Sequence, residues 1–297
     1  MFLLRLLLAL LLATVAAALF APLAAVLVAR CGFHVPFPRI FDRMMMLTTA
    51  LILILQKGKL NLLPLLQSGF ERPQFLVSRL RLMTVGLSVS LLVVAILWLL
   101  AIVAAPAAGG HAPWASLLAE LPKLMLAAAV IALVEEAFFR AFLMQGLFSD
   151  FGSKPALIVS SAIYSAAHLV RSPARFYLTS LDWLSGLHCL AAGLSNLAAP
   201  ESAPALLGLL LLGLLLGRAF LTTASVYLSI GFHAGFVIGA KSWRLAVPVP
   251  DLLPHWLAGY SSFPLVSGAA AWIAALILLV CIGPISTFAA SSQSRPI

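Results

Sequence analysis

The feature that most constrains this chain is a succession of long runs without one charged side chain. Residues 6–29, between Arg5 and Arg30, form the first, and residues 82–110 and 266–290 form others. A helix needs about 20 apolar residues to cross a bilayer. In lipid every backbone polar group must be satisfied within its own segment, so such runs become helices. Composition agrees: 63% of the 297 residues are hydrophobic and 9% charged, which excludes a soluble globular protein. The formal charge of +9 falls in short segments between the apolar runs rather than on one face. That pattern fits membrane loops and argues against nucleic-acid binding.

Reading along the chain divides it further. The first run could be a cleaved signal peptide, but its length favours a retained anchor. The uncharged stretch 44–56 is short for a span, in the range of an interfacial or re-entrant segment. Residues 82–110 predict a span. Proline suits a first helical position, so a helix is expected from Pro122 to about Phe148. Asp150 to Pro155 reads as a tight turn, followed by a helix to about Leu169. Residues 171–203 carry Arg171, Arg175, Asp182 and Glu201 and read as a surface helix and loop. From Ala205 to Ala240 the only charge is Arg218; one helix of that length would be roughly 54 Å long, so two spans with a turn near Thr222 to Ser225 are expected. A proline-rich loop precedes the last span, about residues 266–290. The expectation is an all-α, polytopic membrane helix bundle of seven or eight spans, a single membrane domain over 1–297 with no repeat. Basic residues are dense over 57–81 and absent over 109–121, which puts the first segment and the Asp150 turn in the cytoplasm.

Chemistry has to be sought among ionisable groups that lipid disfavours, because each charge at the bilayer centre costs about 2.5–3.5 kcal/mol on insertion scales. One dense cluster stands out: Glu135-Glu136-Ala137-Phe138-Phe139-Arg140, between Leu124–Val134 and Ala141–Phe148. At i and i+4, Glu136 and Arg140 share a helix face and can pair, while Glu135 points elsewhere and is left free. A structural ion-pair knot is the competing reading, but it does not need the extra carboxylate. Counted from the Asp150–Pro155 turn, Glu135 and His168 both lie roughly 20 Å deep, so in an antiparallel hairpin they meet at one level. His233 lies within a span among Gly231, Gly235 and Gly239, whose small-xxx-small spacing permits close helix approach. Spacing alone leaves His233 open between packing and catalysis. His34, His111, His188 and His255 fall in expected loops or surface segments. The chain has no GxSxG, HExxH or CxxC motif, and Cys31, Cys189 and Cys281 form no metal or disulfide pattern.

These residues resemble a family. Glu135 to Arg140 matches EExxxR, Tyr164-Ser165-Ala166-Ala167-His168 approximates FxxxH, and His233-Ala234-Gly235-Phe236-Val237 approximates HxxxN, in that order on successive membrane helices. The set is similar to the CPBP family, the CAAX-processing and bacteriocin-processing intramembrane endopeptidases, over about residues 115–240. Residues 1–114 would then be N-terminal membrane helices and 241–297 a loop and C-terminal helix.

The resemblance implies an intramembrane catalytic cavity and cleavage of a peptide bond in a membrane-associated peptide or protein. It implies that Glu135 with His168 activates water, that Glu136 and Arg140 support the site, and that His233 helps hold the oxyanion. No cofactor is expected; zinc is the alternative, with Glu135, His168 and His233 as its ligands. The expected location is the cell membrane. Two departures bear on activity: Tyr164 replaces Phe, and Val237 replaces Asn, removing a donor worth about 10²- to 10³-fold in rate. Ser229, one turn before His233, is a candidate substitute. A non-catalytic membrane scaffold or immunity-type protein of the same fold is the alternative reading, and a proton-coupled transporter a third.

Overall fold

The computed structural model describes residues 1–71, 76–104, 114–170, 181–246, 254–259 and 265–290. Among these the chain is all helix. The elements are α1 (Phe2–Arg30), α2 (Phe37–Leu55), α3 (Leu62–Glu71), α4 (Leu76–Ala104), α5 (Trp114–Glu136), a π-helical segment (Ala137–Met144), α6 (Gln145–Phe151) and α7 (Ser153–Leu169). After them come α8 (Ser185–Ala198), a 3₁₀ turn (Pro200–Ser202), α9 (Ala203–Thr223), α10 (Tyr227–Ala246), α11 (His255–Ala258) and α12 (Ala269–Ala290). Five stretches are long and apolar enough to cross a membrane on length and composition alone: Phe2–Arg30, Val77–Ala101, Leu117–Phe151, Ala203–Thr223 and Ala269–Thr287. The shorter α7 and the more polar α10 pack among them against α9, α4 and α5. The result is a helical membrane bundle.

Several local expectations meet different outcomes. The stretch from Ala205 to Ala240 divides as its length requires, with the break at Ala224–Val226, where Ala224 adopts a left-handed φ of 50°. The uncharged stretch 44–56 is not a separate short element. It is the apolar half of α2, whose other half carries Arg39, Asp42 and Arg43. Pro122 does not open its helix: α5 begins at Trp114 and contains Pro122. As the ninth residue of α5, Pro122 removes one backbone hydrogen bond and crowds the carbonyl one turn before it, and the helix continues through it. His255, expected in a loop, opens the short α11. Arg171 and Arg175 of the expected surface segment, His111, and most of the proline-rich loop lie outside the described residues.

Packing follows the small residues. The α4–α10 contact is the most extensive in the bundle. Gly231, Gly235 and Gly239 of α10 face Met83, Ser90 and Val94 of α4, and Gly86 of α4 faces Leu228 and Phe232. Without a hydrophobic drive between helices in lipid, close backbone approach supplies the association. That contact sets the position of α10, and α10 carries His233.

At one end of the bundle the Leu3 amide donates to Asp150 at 2.9 Å and Arg5 donates to the Lys59 carbonyl at 2.9 Å. The N-terminus of α1, the Lys57–Asn61 turn and the Asp150–Gly152 turn therefore share that end. This is the grouping on one side that the basic residues of 57–81 suggest.

The α4–α10 seam leads to a prediction. A Cβ on Gly86 would lie 2.5 Å from the Leu228 carbonyl oxygen and 2.8 Å from the Phe232 nitrogen. These are backbone atoms that cannot swing away. Gly86→Val is expected to destabilise by about 1–3 kcal/mol, as overpacking usually does, read as a lower melting temperature in detergent. An unchanged melting temperature would mean that the seam is looser than described.

Candidate active site

The site is assembled from four elements. Glu135 and Glu136 end α5, Arg140 lies in the π-helical segment, Tyr164 and His168 lie on α7, and His233 lies on α10. π-Helical turns occur often at functional sites because the extra residue per turn re-aims side chains. Here the change of register is supported locally. The Gln145 amide donates to the Ala141 carbonyl at 2.7 Å and to the Leu65 carbonyl at 2.9 Å, and Ser68 Oγ meets Gln145 Oε1 at 2.7 Å. Gly69 of α3 lies against Ala141, leaving no room for a Cβ.

Glu136 and Arg140 pair as their spacing predicts. Arg140 Nε lies 3.3 Å from Glu136 Oε2, with the two side chains 1% and 0% exposed. This contact is an ion pair without hydrogen-bond geometry, and the guanidinium finds further support elsewhere. Its Nη2 donates to the Gly213 carbonyl of α9 at 3.3 Å, and its Cζ lies 4.9 Å from the Tyr164 ring centre. The other oxygen of Glu136 accepts from His233 Nδ1 at 2.8 Å. Four helices and the π-segment thus share one buried charge network.

Glu135 has no partner on its own helix, but it is not free. His168 Nε2 lies 3.3 Å from its Oε2, and His233 Nε2 lies 3.7 Å from the same oxygen. The common level of Glu135 and His168 follows from the helix arithmetic, while the approach of His233 required the folded bundle.

Both imidazoles are oriented by their far nitrogen. His168 Nδ1 is 2.9 Å from the Tyr164 carbonyl and His233 Nδ1 is 2.8 Å from Glu136. A carbonyl and a carboxylate only accept, so each Nδ1 carries a proton and each Nε2 is turned to Glu135.

Glu135, Tyr164, His168, His233 and Val237 lie in the wall of one cavity of about 730 Å³. The rest of the wall is mostly apolar: Val93, Val94 and Leu97 of α4, Leu209 and Leu212 of α9, and Ala271, Trp272 and Ala275 of α12, with Lys241 eight residues along α10 from His233. That size and lining suit an organic ligand with a few oriented polar contacts. Nothing in the sequence marks α12 as a wall, because it contributes no polar group to the site. Ser229 does not face the cavity chemistry: its hydroxyl is buried and donates to the Leu216 carbonyl at 2.9 Å. Among the described residues no group of three or more His, Cys, Asp or Glu side chains is arranged to hold a metal ion.

The network predicts unequal roles for the two glutamates. Removing Glu136 leaves the Arg140 cation buried beside only a carbonyl and a ring, and breaking such a pair costs about 3–5 kcal/mol. Glu136→Ala is expected to melt well below the parent in detergent. A melting temperature equal to the parent's would show that the charge network does not hold these helices together.

No curated protein and no solved structure matches the chain. A family model described as "Type II CAAX prenyl endopeptidase Rce1-like" matches residues 115–238. The matched segment contains both glutamates, Arg140, His168 and His233, the residues that meet around the cavity. Over residues 115–238 the chain is accordingly similar to the Rce1-like CAAX prenyl endopeptidases, a likeness in keeping with the CPBP resemblance of its motifs.

Proposed function

We propose that this integral membrane protein is an endopeptidase that hydrolyses a peptide bond of a membrane-associated substrate with a water activated by Glu135 and His168. The observation that carries this reading is the convergence of two oriented imidazole nitrogens on one oxygen of Glu135 in the wall of an apolar cavity.

In the first step Glu135 takes a proton from water as the water oxygen attacks the carbonyl carbon. A C–O bond forms and the carbonyl electron pair moves to oxygen. His168, held through Nδ1, shares the transferred proton through Nε2. His233, with its Nδ1 proton given to Glu136, presents Nε2 to the same space; as an imidazolium it can donate to the oxyanion, and the Glu136 carboxylate compensates its charge. When the tetrahedral intermediate collapses the C–N bond breaks, and the proton held by Glu135 and His168 passes to the leaving nitrogen. The products are a carboxylic acid and an amine. The proposed steps use side chains of this chain alone. The proposed setting is the cell membrane. Val237 in the cavity wall supports the alternative of a non-catalytic protein of the same fold, which the following experiment separates.

Glu135→Gln keeps shape and removes the base, and a positioned general base contributes about 10²–10⁴-fold. The variant is expected to fold with the parent melting temperature and to lose activity by that factor. Mass spectrometry of membrane proteins from cells expressing parent or variant should find at least one terminus that changes. If parent and variant leave identical termini at equal expression, the enzyme reading fails. Cleavage is further expected to survive EDTA and o-phenanthroline. Loss on chelation with recovery on added zinc would assign Glu135, His168 and His233 as ligands and replace the mechanism above.

A further inference from the structure

One polar group in the cavity wall has no task in the steps above. Of the polar side chains there, Glu135, His168 and His233 carry the proposed chemistry, Lys241 stands eight residues away along α10, and Trp272 Nε1 donates to the Val266 carbonyl at 2.8 Å. That leaves Tyr164.

The residue is 1% exposed and its ring is held on several sides. The His168 ring lies 4.3 Å away centre to centre, the Phe139 ring 5.0 Å, the His233 ring 6.1 Å and the Arg140 guanidinium carbon 4.9 Å. Yet the phenolic hydroxyl makes no hydrogen bond among the described residues. It is also not among the sealed polar atoms without a hydrogen bond, which include Glu135 Oε2, Glu136 Oε2 and the Arg140 Nε and Nη1. Buried tyrosines usually place their hydroxyl on a partner. A fixed ring in the cavity wall whose hydroxyl has no hydrogen-bond partner among the described residues is a donor available to a ligand atom.

The second observation lies across the same cavity. Val237, one turn beyond His233 on α10, lines it with an aliphatic side chain where the family pattern has Asn. The candidate substitute Ser229 is engaged with Leu216. The two departures from the family pattern, Tyr164 on α7 and Val237 on α10, are thus in one wall, a hydroxyl present in one place and an amide absent from another.

We propose that the Tyr164 hydroxyl is the neutral oxyanion donor of this site, supplying the hydrogen bond that Val237 cannot. The inference rests on the hydrolytic reading. As the carbonyl oxygen gains charge on attack by water, the phenol donates a hydrogen bond to it and keeps its proton. No bond to that proton breaks, and nothing is oxidised or reduced. The ring contacts hold the donor before the charge develops, which is the condition under which such a donor accelerates the step.

The test uses the full-length chain in detergent and a prenylated reporter peptide ending in a CAAX sequence, with kcat, KM and melting temperature measured for each variant. Cleavage by the parent and its loss in Glu135→Gln report on the hydrolytic reading alone. Tyr164→Phe keeps the ring and its contacts. It is expected to lower kcat by about 10²- to 10³-fold, with KM and melting temperature unchanged. Val237→Asn is expected to restore at least tenfold of the kcat lost in Tyr164→Phe. Parent-level kcat in Tyr164→Phe overturns the proposal while leaving the hydrolytic reading standing. A fall in kcat that Val237→Asn does not recover makes the phenol a positioning group and also overturns it. Failure of the parent to cleave the reporter overturns both.

Discussion

The structure depends on a charge network that lipid would not tolerate in pieces. Arg140 and Glu136 lie 3.3 Å apart, both essentially inaccessible, inside a bundle whose outer surface is hydrocarbon-like. Each charge alone in such a place would be several kcal/mol unfavourable, and the pair persists because further groups complete it. Those groups come from elsewhere in the chain: the Gly213 carbonyl from α9, the Tyr164 ring from α7 and His233 from α10. Satisfying one cation and one anion therefore fixes four helical segments relative to each other. A buried pair is weak evidence of stability, but it is good at specifying one arrangement over its neighbours.

The same network prepares the chemistry. Because Glu136 accepts the Nδ1 proton of His233, and the Tyr164 carbonyl that of His168, both imidazoles point Nε2 at Glu135 without any rearrangement. Preorganisation of this kind is what lets polar groups in a water-poor cavity act on developing charge. The π-helical turn supports it from below. An α-helix running without interruption from Glu135 through Gln145 would aim Arg140 and Ala141 differently, and the Gln145 side chain donates to the Ala141 carbonyl within the segment. The glycine seam between α4 and α10 supports it from the side, by letting α10 sit close enough for His233 to reach two glutamates.

Much of this was legible in the residues because the membrane imposes local rules. Spans follow from uncharged length, the Glu136–Arg140 pair from a four-residue spacing, the close-packing face around His233 from glycines four apart, and the meeting of Glu135 with His168 from equal rise on two sides of a turn. Each of these depends only on a helix's own geometry, so a single chain suffices to read it.

The remainder depends on which helices lie side by side, and no period in the chain encodes that. Glu135 looked unpartnered because its partners come from α7 and α10, and α12 lines the cavity with alanines that resemble any lipid-facing run. The π-turn is supported by α3, through Leu65, Ser68 and Gly69, and no local pattern announces that contact. Tyr164 and Val237 look like separate departures in the sequence, 73 positions apart. Only folding sets a hydroxyl and a missing amide in one cavity wall, because helix neighbours in lipid are chosen by packing and buried charge rather than by order along the chain.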